Sequence, residues 1–533
     1  MKNKKMLFGS IVFMILFIAI TYYLFLPALN LQSPGFWLYL FVVIMVGSFL
    51  KLMFSIDMKT GMLKTNRISK ITKGFYIVLS AIVLGIIVVN IIASPIFNSS
   101  SYSKRITINE NGDFDKDVKP ADFKTIPLLD KDSSQKLGDR VMGEMTDLVS
   151  QFYVSDLYTQ INYNNDVVRV TPLEYSGIIK YFTNRNKGVK GYIIVSSVDG
   201  KSELVKLDKG MKYMPSAMFN ENLTRKLRFS YPTEIFGQAN FELDNDGNPF
   251  WIIPTKKYTG VGLKEEITGV VILDPITGKS KKYKVEDVPS WVDHVYSADL
   301  ILEQVDDWGM YKKGFLNSIF GQKNVVVTTD GYNYLTMNDD VYLYTGITSV
   351  ATDESNLGFI LCNMRTKETV YYSVPGAEEY SAMESAKGQV QQMNYTSTFP
   401  LLINLDGRPT YLISLKDNAG LVKMYAFVDV QNYQRVVVTD SAKGIEVAAK
   451  NYLASNPVSD SKEMITKEIT VSSITSSIID GNTYYYIQDT EGYKYKVSIK
   501  IDEDYIPFIT AGNKIKIGYN TSRDVTNIVK IIK

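Results

Sequence analysis

Three long apolar stretches without charge fall within the first 97 residues of this 533-residue chain, and they fix where most of it can sit. No charged side chain occurs between Met6 and Leu50. Residues 6–25 and 75–97 are each long enough for a helix to cross about 30 Å of hydrocarbon at about 1.5 Å per residue. Residues 36–54 manage it if the Lys51 ammonium snorkels to the interface. The pattern predicts three membrane crossings followed by one large exposed part.

The lysines predict which side that part occupies. Lys2, Lys4 and Lys5 precede the first stretch, whereas the connection at 27–35 is uncharged and carries Pro27, Pro34 and Gly35. Between the second and third stretches lie Lys51, Lys59, Lys64, Arg67, Lys70 and Lys73 against Asp57 alone. Positive residues stay in the cytoplasm, so an odd number of crossings exports residues 98–533 from a multi-pass protein of the cell membrane with a cytoplasmic N-terminus. The first stretch is longer than an ordinary leader and no Ala-x-Ala-like site follows it, which favours a retained helix.

Nine of the 58 Lys and Arg and one of the 56 Asp and Glu fall in residues 1–97. The remainder holds 49 basic and 55 acidic side chains, a net charge of −6 that makes nucleic acid an unsuitable partner. Cys362 is the sole cysteine, which excludes an intramolecular disulfide and a cysteine-based zinc cage.

In the exported part, residues 98–132 are polar, aperiodic and interrupted by Pro120 and Pro127, and predict a stalk. Leu137, Val141, Met145 and Leu148 have helical spacing, and Thr171-Pro172-Leu173-Glu174 predicts a second helix reaching Phe182. Alternating β-branched and aromatic runs surround them, giving an α+β class. The segment from Gly269 to Val285 aligns without gaps on that from Gly358 to Val374, with four identities in 17 positions and a shared apolar pattern. The segment starting at Gly191 fits the same strand, turn and strand template. A second repeat places Asp246-Gly-Asn-Pro-Phe-Trp-Ile-Ile253 beside Asp406-Gly-Arg-Pro-Thr-Tyr-Leu-Ile413. Each copy follows an expected helix, within 215–228 or 378–393 (Ala382, Ala386 and Val390), and precedes another strand. One copy cannot bury much alone, so the copies should pack together.

A helix followed by strands, with the turn Asp274-Pro-Ile-Thr-Gly278 after an apolar run, resembles PepSY-type domains of bacterial cell-envelope proteins. That resemblance implies a binding or inhibitory module rather than an enzyme. The exported region is also similar to membrane-anchored envelope proteins of Gram-positive bacteria. Between the copies, Pro289 with Trp291, Val295, Ala298, Leu302 and Val305 predicts an amphipathic helix ending near Gly309. After Ala442 the chain predicts a short helix at 445–453, a linker with Pro457, and five strands at 469–479, 483–488, 493–499, 514–519 and 525–532. Turns at Asp480-Gly481 and Glu491-Gly492 separate the first three, and an OB-like barrel accommodates such a run. The expected divisions are a membrane anchor at 1–97, stalk at 98–132, α+β module at 133–214, PepSY-like module at 215–288, connecting helix and hairpin at 289–376, second PepSY-like module at 377–441, helix and linker at 442–462, and barrel at 463–533.

Chemistry is harder to find. His294 is the only histidine, and one histidine one step off an apolar stripe reads as a surface or boundary residue. Glu242, Asp244 and Asp246 before Gly247 resemble half a calcium loop, but Ile253 stands where the closing Glu belongs. Cys362 takes an apolar slot equivalent to Leu273 and reads as a buried small hydrophobe. Tyr484, Tyr485, Tyr486, Tyr493 and Tyr495 offer stacking surfaces or simply fill the barrel pleat. Asn90 and Ser80 are the polar groups of the third stretch, in three helices better suited to anchoring than to transport. No catalytic, cofactor-binding or metal residue is assigned. The expectation is a non-enzymatic, membrane-anchored extracytoplasmic binding protein with an envelope protein and the lipid bilayer as partners. An envelope hydrolase acting on peptide or glycan, or an accessory subunit of a membrane complex, are the alternatives.

Overall fold

The computed structural model describes residues 2–53, 65–145, 148–350, 352–455, 465–479, 482–520 and 526–532. The Asp480-Gly481 turn, Pro457 and the lysines at 59 and 64 lie outside the described residues. Helices Lys2–Phe25, Pro34–Met53 and Thr65–Ala93 contain windows long and apolar enough to cross a membrane, at Phe8–Phe25, Pro34–Lys51 and Lys73–Ala93.

The rest is α+β, and its main part is one unit occurring four times. In each unit a helix leads into an edge strand broken in two, then a long central strand, then two further antiparallel strands. The first has helix Lys131–Gly143, edge pieces Phe152–Val154 and Thr159–Tyr163, central strand Asp166–Tyr175, and strands Val189–Ser196 and Ser202–Met211. The second has Leu223–Ser230, Ile235–Phe236 with Asn240–Leu243, Pro249–Thr259, Lys264–Leu273 and Ser280–Tyr283. The third has Ala298–Tyr311, Val326–Thr328 with Asn333–Met337, Asp340–Ser349, Thr352–Asn363 and Thr369–Tyr372. The fourth has Glu379–Gly388, Thr396–Ser397 with Leu401–Leu405, Arg408–Lys416, Val422–Asp429 and Val436–Asp440.

The equivalence extends to single hydrogen bonds. At the break in the edge strand, the first residue of the gap donates its N–H to the central strand in every copy: Ser155 to Pro172 O, Gly237 to Pro254 O, Thr329 to Gly346 O and Thr398 to Ser414 O, at 2.8–3.0 Å. The two sequence repeats are therefore halves of one unit. The Gly269 and Gly358 hairpins are its last two strands, and the Asp246-Gly and Asp406-Gly turns join edge to central strand. Both residues of that turn have positive φ in the first, third and fourth copies, at Asn164-Asn165, Asn338-Asp339 and Asp406-Gly407, the geometry that Asn, Asp and Gly tolerate best.

Stacking explains the long apolar runs. Trp251, Ile253, Val271 and Leu273 face the first sheet, while Ile252, Val270 and Ile272 face the third unit. The third sheet repeats this, with Leu343, Ile360 and Cys362 turned back to the second unit and Tyr344, Phe359 and Leu361 turned on to the fourth. A strand covered on both faces reads as a nearly continuous apolar run. Cys362 is fully buried in register with Leu273. Helix Ile445–Ser455 covers the far face of the fourth sheet, where Tyr452 lies 5.8 Å from Phe427. Beyond it, Ile465–Ile479, Asn482–Asp489, Lys494–Ser498, Lys514–Asn520 and Thr526–Ile532 form a closed barrel in the strand order first, second, third, fifth, fourth.

Several expectations need correction. Residues 98–132 are not a stalk: Ile108–Gly112 pairs parallel with Thr369–Tyr372, and Phe114, Val118, Ile126 and Leu128 join the core beside the fourth sheet. Polar surface residues hid anchors too widely spaced to show a period. Residues 289–376 are a complete unit rather than a connection with a hairpin. Thr171-Pro172 lies inside a central strand, where Pro172 faces the edge-strand gap and its missing N–H breaks no essential ladder bond, and the helix starts later, at Ile178. The helix expected from Pro289 begins at Ala298, capped by the Ser297 hydroxyl accepting from Leu300 N, so Trp291 sits in the preceding loop and packs on Phe250 at 5.1 Å.

The membrane helices meet the second unit. Arg225 Nε donates to Tyr23 O at 3.3 Å and its guanidinium stands 4.3 Å above the Tyr23 ring. Asn90, on the third membrane helix, accepts from Val261 N at 2.7 Å and donates to Val261 O at 3.2 Å. The hairpin tip there approaches so closely that a Cβ on Gly262, at φ +68°, would lie 2.3 Å from Pro34 Cγ. Asn90 is thus a docking residue. The connection after the first helix and the end of the third lie on the side of the four-unit stack.

Candidate functional site

The edge-strand gaps of all four units point toward one cleft of about 700 Å³. Tyr158 of the first gap, Gly237 and Gln238 of the second, Tyr332 of the third, and Thr398 and Phe399 of the fourth all line it. Residues 127–132 close the cleft between the fourth unit and the first. There Ser414 Oγ donates to Leu128 O at 3.1 Å, Lys416 pairs with Asp130, and Lys136 Nζ donates to Ala419 O at 2.6 Å. The site exists because segment 98–132 folds back over the stack.

Two side chains of the first unit are out of keeping with the repeat. The second residue of each inner edge piece pairs with the central strand, giving Phe241 with Trp251, Tyr334 with Leu343, and Leu402 with Tyr411. In the first unit this pair is Gln160 with Arg169. Both line the cleft and are buried, at 3 % and 7 % exposure. Arg169 Nη2 donates to Gln160 Oε1 at 2.7 Å and weakly to Leu129 O at 3.4 Å. Among the described residues its Nε has no partner, nor do Gln160 Nε2 and the Tyr158 hydroxyl, which lies against Gly138 of helix Lys131–Gly143. Burial pulls the guanidinium down to about 10, against a smaller upward pull from Asp130, so it is charged at neutral pH.

His294 proves to be an interior residue. Its Nε2 lies 2.7 Å from Gln160 O, its ring meets Tyr334 edge-on at 5.7 Å, and burial depresses its pKa to about 4. The surface expectation failed because the residue occupies a loop between units, not a helix. Its N–H and that of Asp293 donate to the fully buried Glu242 carboxylate at 3.1 and 2.8 Å. Burial raises the pKa of Glu242, and burial with the adjacent Glu242 charge raises that of Asp293. Glu242 thus fastens the loop that carries His294. Asp244 instead closes its own turn, accepting from Asp246 N and Asn248 N, so Glu242 and Asp244 of the half calcium loop turn to different partners.

The barrel tyrosines do not form one platform. The Tyr484 hydroxyl lies 2.7 Å from Ser455 Oγ, Tyr495 is inside the barrel with its hydroxyl donating to Asp489, and Tyr493 is exposed under Lys467. Arg169 and Gln160 were missed because Val167–Val170 reads as an ordinary strand. The signal that finds them is the alignment of all four units, which shows an amide beside a guanidinium where the other three copies carry aliphatic or aromatic residues.

No family model matches the chain, and no curated protein matches it. Solved structures aligned with it include the polysaccharide lyase Uly1, with a TM-score of 0.16 and 10% identity over 72% of this chain and 77% of that one. Another is the α-L-arabinofuranosidase from Lactobacillus brevis, with a TM-score of 0.14 and 8% identity over 71% of this chain and 97% of that one. Scores this low carry no inference about fold or activity.

Proposed function

We propose that this chain is a membrane-anchored, non-enzymatic binding protein of the bacterial cell envelope, which holds a receptor cleft just outside the membrane. The observation that carries the reading is the convergence of the same gap from four repeated units on one cavity. Its volume falls in the usual range for ligand sites, roughly 300–1,000 Å³. The binding role agrees with the PepSY-like resemblance of the units, each a helix followed by an antiparallel sheet. The barrel's strand order and its parallel pairing of third with fifth strand support an OB-like reading. The lysine asymmetry supports the outer location of residues 98–533.

Exposed apolar side chains support contact with the bilayer as well. Ile179 and Phe182 are exposed on one short helix, and Phe182 stands beside Phe219, whose carbonyl accepts from the Arg225 that reaches the first membrane helix. Leu316 and Phe320 are exposed just past helix Ala298–Tyr311, whose Tyr311 ring lies 6.3 Å from Tyr102, the last residue of the short helix Pro95–Tyr102 that follows the third. An envelope protein carrying the ligand is the expected partner.

Intact cells treated with protease should lose the stack and barrel while inverted vesicles protect them; the opposite pattern rejects the orientation. A photocrosslinking residue placed at Gln238 in the cleft should give a discrete adduct in living cells that the same residue at Lys206, exposed on the outer strand of the first unit, does not. Equal labelling from both positions removes the cleft from the function. Turnover of peptide or glycan by the purified chain would favour the hydrolase alternative.

A further inference from the structure

Two clusters of exposed apolar side chains stand where the stack meets the membrane helices, and each is tied to the end of a span. The first is on helix Ile178–Asn184, where Ile178, Ile179 and Phe182 are at least half exposed and the Phe182 ring lies 6.1 Å from that of Phe219. Phe219 holds φ +50°, a left-handed backbone that is costly for a bulky residue, with its ring half exposed. One guanidinium joins this cluster to the first span. Arg225 Nη1 donates to Phe219 O at 2.7 Å and its Nε donates to Tyr23 O at 3.3 Å, two residues before that span ends at Phe25. The second cluster is Leu316, Ile319 and Phe320, of which Phe320 is 81% exposed. It follows helix Ala298–Tyr311, whose Tyr311 ring packs on Tyr102, and the Tyr102 hydroxyl donates at 2.8 Å to the carbonyl of Ala93, where the third span ends.

Charge follows the same division. No acidic residue occurs between Glu174 and Asp199, a stretch that carries Lys180, Arg185, Lys187 and Lys190. None occurs between Asp307 and Asp330 either, where Lys312, Lys313 and Lys323 bracket the second cluster. Seven positive charges thus accompany the two clusters in a region, residues 98–533, whose net charge is −6. Apolar side chains ringed by lysine and arginine are what an interfacial contact with anionic headgroups requires. Both clusters also lie at the depth where a span ends, a constraint that a bilayer imposes and a protein partner does not. We propose that these two feet insert into the leaflet from which the spans emerge and select anionic lipid there. The proposal rests on the membrane-anchored reading above and deepens it by naming the headgroup charge. With one foot beside the first span and one beside the third, the stack is kept from rocking on the short connections that join it to the spans, and the cleft keeps a fixed height above the bilayer.

The test uses the full chain in lipid nanodiscs of phosphatidylcholine alone or mixed with phosphatidylglycerol. An environment-sensitive dye is attached through Ile179→Cys, through Phe320→Cys, or through Tyr493→Cys, an exposed aromatic of the barrel; Cys362 is fully buried and leaves labelling to the introduced thiol. All three positions are exposed, so the substitutions spare the core. Spin labels on the acyl chains should quench the dye at Ile179→Cys and Phe320→Cys in the anionic discs and less in phosphatidylcholine alone, with no quenching at Tyr493→Cys in either. Each lysine beside an anionic surface shifts the seating equilibrium by about fivefold. Lys312→Gln, Lys313→Gln and Lys323→Gln combined should therefore erase the difference between the two lipids at Phe320→Cys and leave it intact at Ile179→Cys. A water-exposed emission at either foot in the anionic discs overturns the proposal and assigns the clusters to a protein partner. Equal quenching with and without phosphatidylglycerol overturns it by removing the charge selection, and equal quenching at Tyr493→Cys overturns it by removing the location. Any of these leaves the protease and Gln238 crosslinking results standing, so the leaflet contact and the receptor reading fail separately.

Discussion

The central strands of the stack and the strands of the terminal barrel bury apolar residues in different ways. In the second unit Val270, Val271, Ile272 and Leu273 are all buried in succession, because one sheet face meets the preceding unit and the other meets the next. In the barrel Ile487 faces the closed core with the half-buried Tyr485 beside it, while on the other face Tyr484 is buried against Ser455 of helix Ile445–Ser455 and Tyr486 stays half exposed. An inner unit removed from its neighbours would expose a full apolar face, whereas the barrel closes its sheet on itself. The stack is therefore one cooperative body, and the barrel is a second one with its own core.

The largest expected effect tests that division. Trp251 is fully buried between the first and second sheets, with its indole N–H donating to Tyr213 O at 3.0 Å. Trp251→Ala should destabilise the stack by about 4 kcal/mol, through lost burial and a cavity that the rigid sheets on either side cannot fill. Denaturant unfolding followed by circular dichroism and by a fluorophore placed in the barrel should show the stack transition moving to lower denaturant and the barrel transition unmoved. A shared shift of both would merge the two bodies into one.

Acid should separate them next. The stack contains a buried histidine, and burial puts its folded pKa at about 4, below the unfolded value of about 6.5. The unfolded state then binds more protons between those values. His294 contributes its full stability above pH 6.5 and loses it as pH falls through about 4, a change of up to about 3 kcal/mol. Glu242 and Asp293 act in the opposite direction: their raised pKa values give a contribution that is complete below the ordinary carboxylate range and lost as pH climbs through the folded values. His294→Gln should flatten the acid limb of the stack's stability profile and leave the neutral limb in place. An acid limb of unchanged steepness would assign it to other groups.

The same contrast explains what could be read from the sequence. Membrane helices announce themselves by uninterrupted apolarity, and barrel strands by alternation, so both were legible. The hairpins of the stack were legible where turn residues repeat, as at Asp246-Gly247 and Asp406-Gly407. The first copy was not, because Asn164-Asn165 takes the same positive φ values with different residues. Thr171-Pro172-Leu173-Glu174 looked like a helix start because propensity is local, yet the long strand was decided by sheets on either side of it. The cleft itself left almost no mark. Arg169, Gln160 and Tyr158 lie within twelve residues of one another, but Gln238 and Phe399 reach the same cavity from two other units and His294 from the loop between the second and third, and only the stacking order brings them together.

The smallest effect concerns the turns, and it sharpens the comparison at single residues. Gly407, at φ +77°, closes the edge hairpin of the fourth unit, and Gly492, at φ +88°, closes a barrel hairpin; a Cβ at either position would meet nothing within 4 Å. Alanine therefore has space at both but must adopt a left-handed backbone, which should cost about 1 kcal/mol in each case. Asparagine tolerates that conformation, and the equivalent turn of the first unit already uses Asn165 at φ +64°. Gly407→Asn should accordingly be almost neutral while Gly407→Ala lowers the stack transition. Gly492→Ala should move the barrel transition alone, by a similar amount. If Gly492→Ala shifted the stack instead, the packing of Tyr484 against Ser455 on helix Ile445–Ser455 would have to transmit barrel stability into the fourth unit.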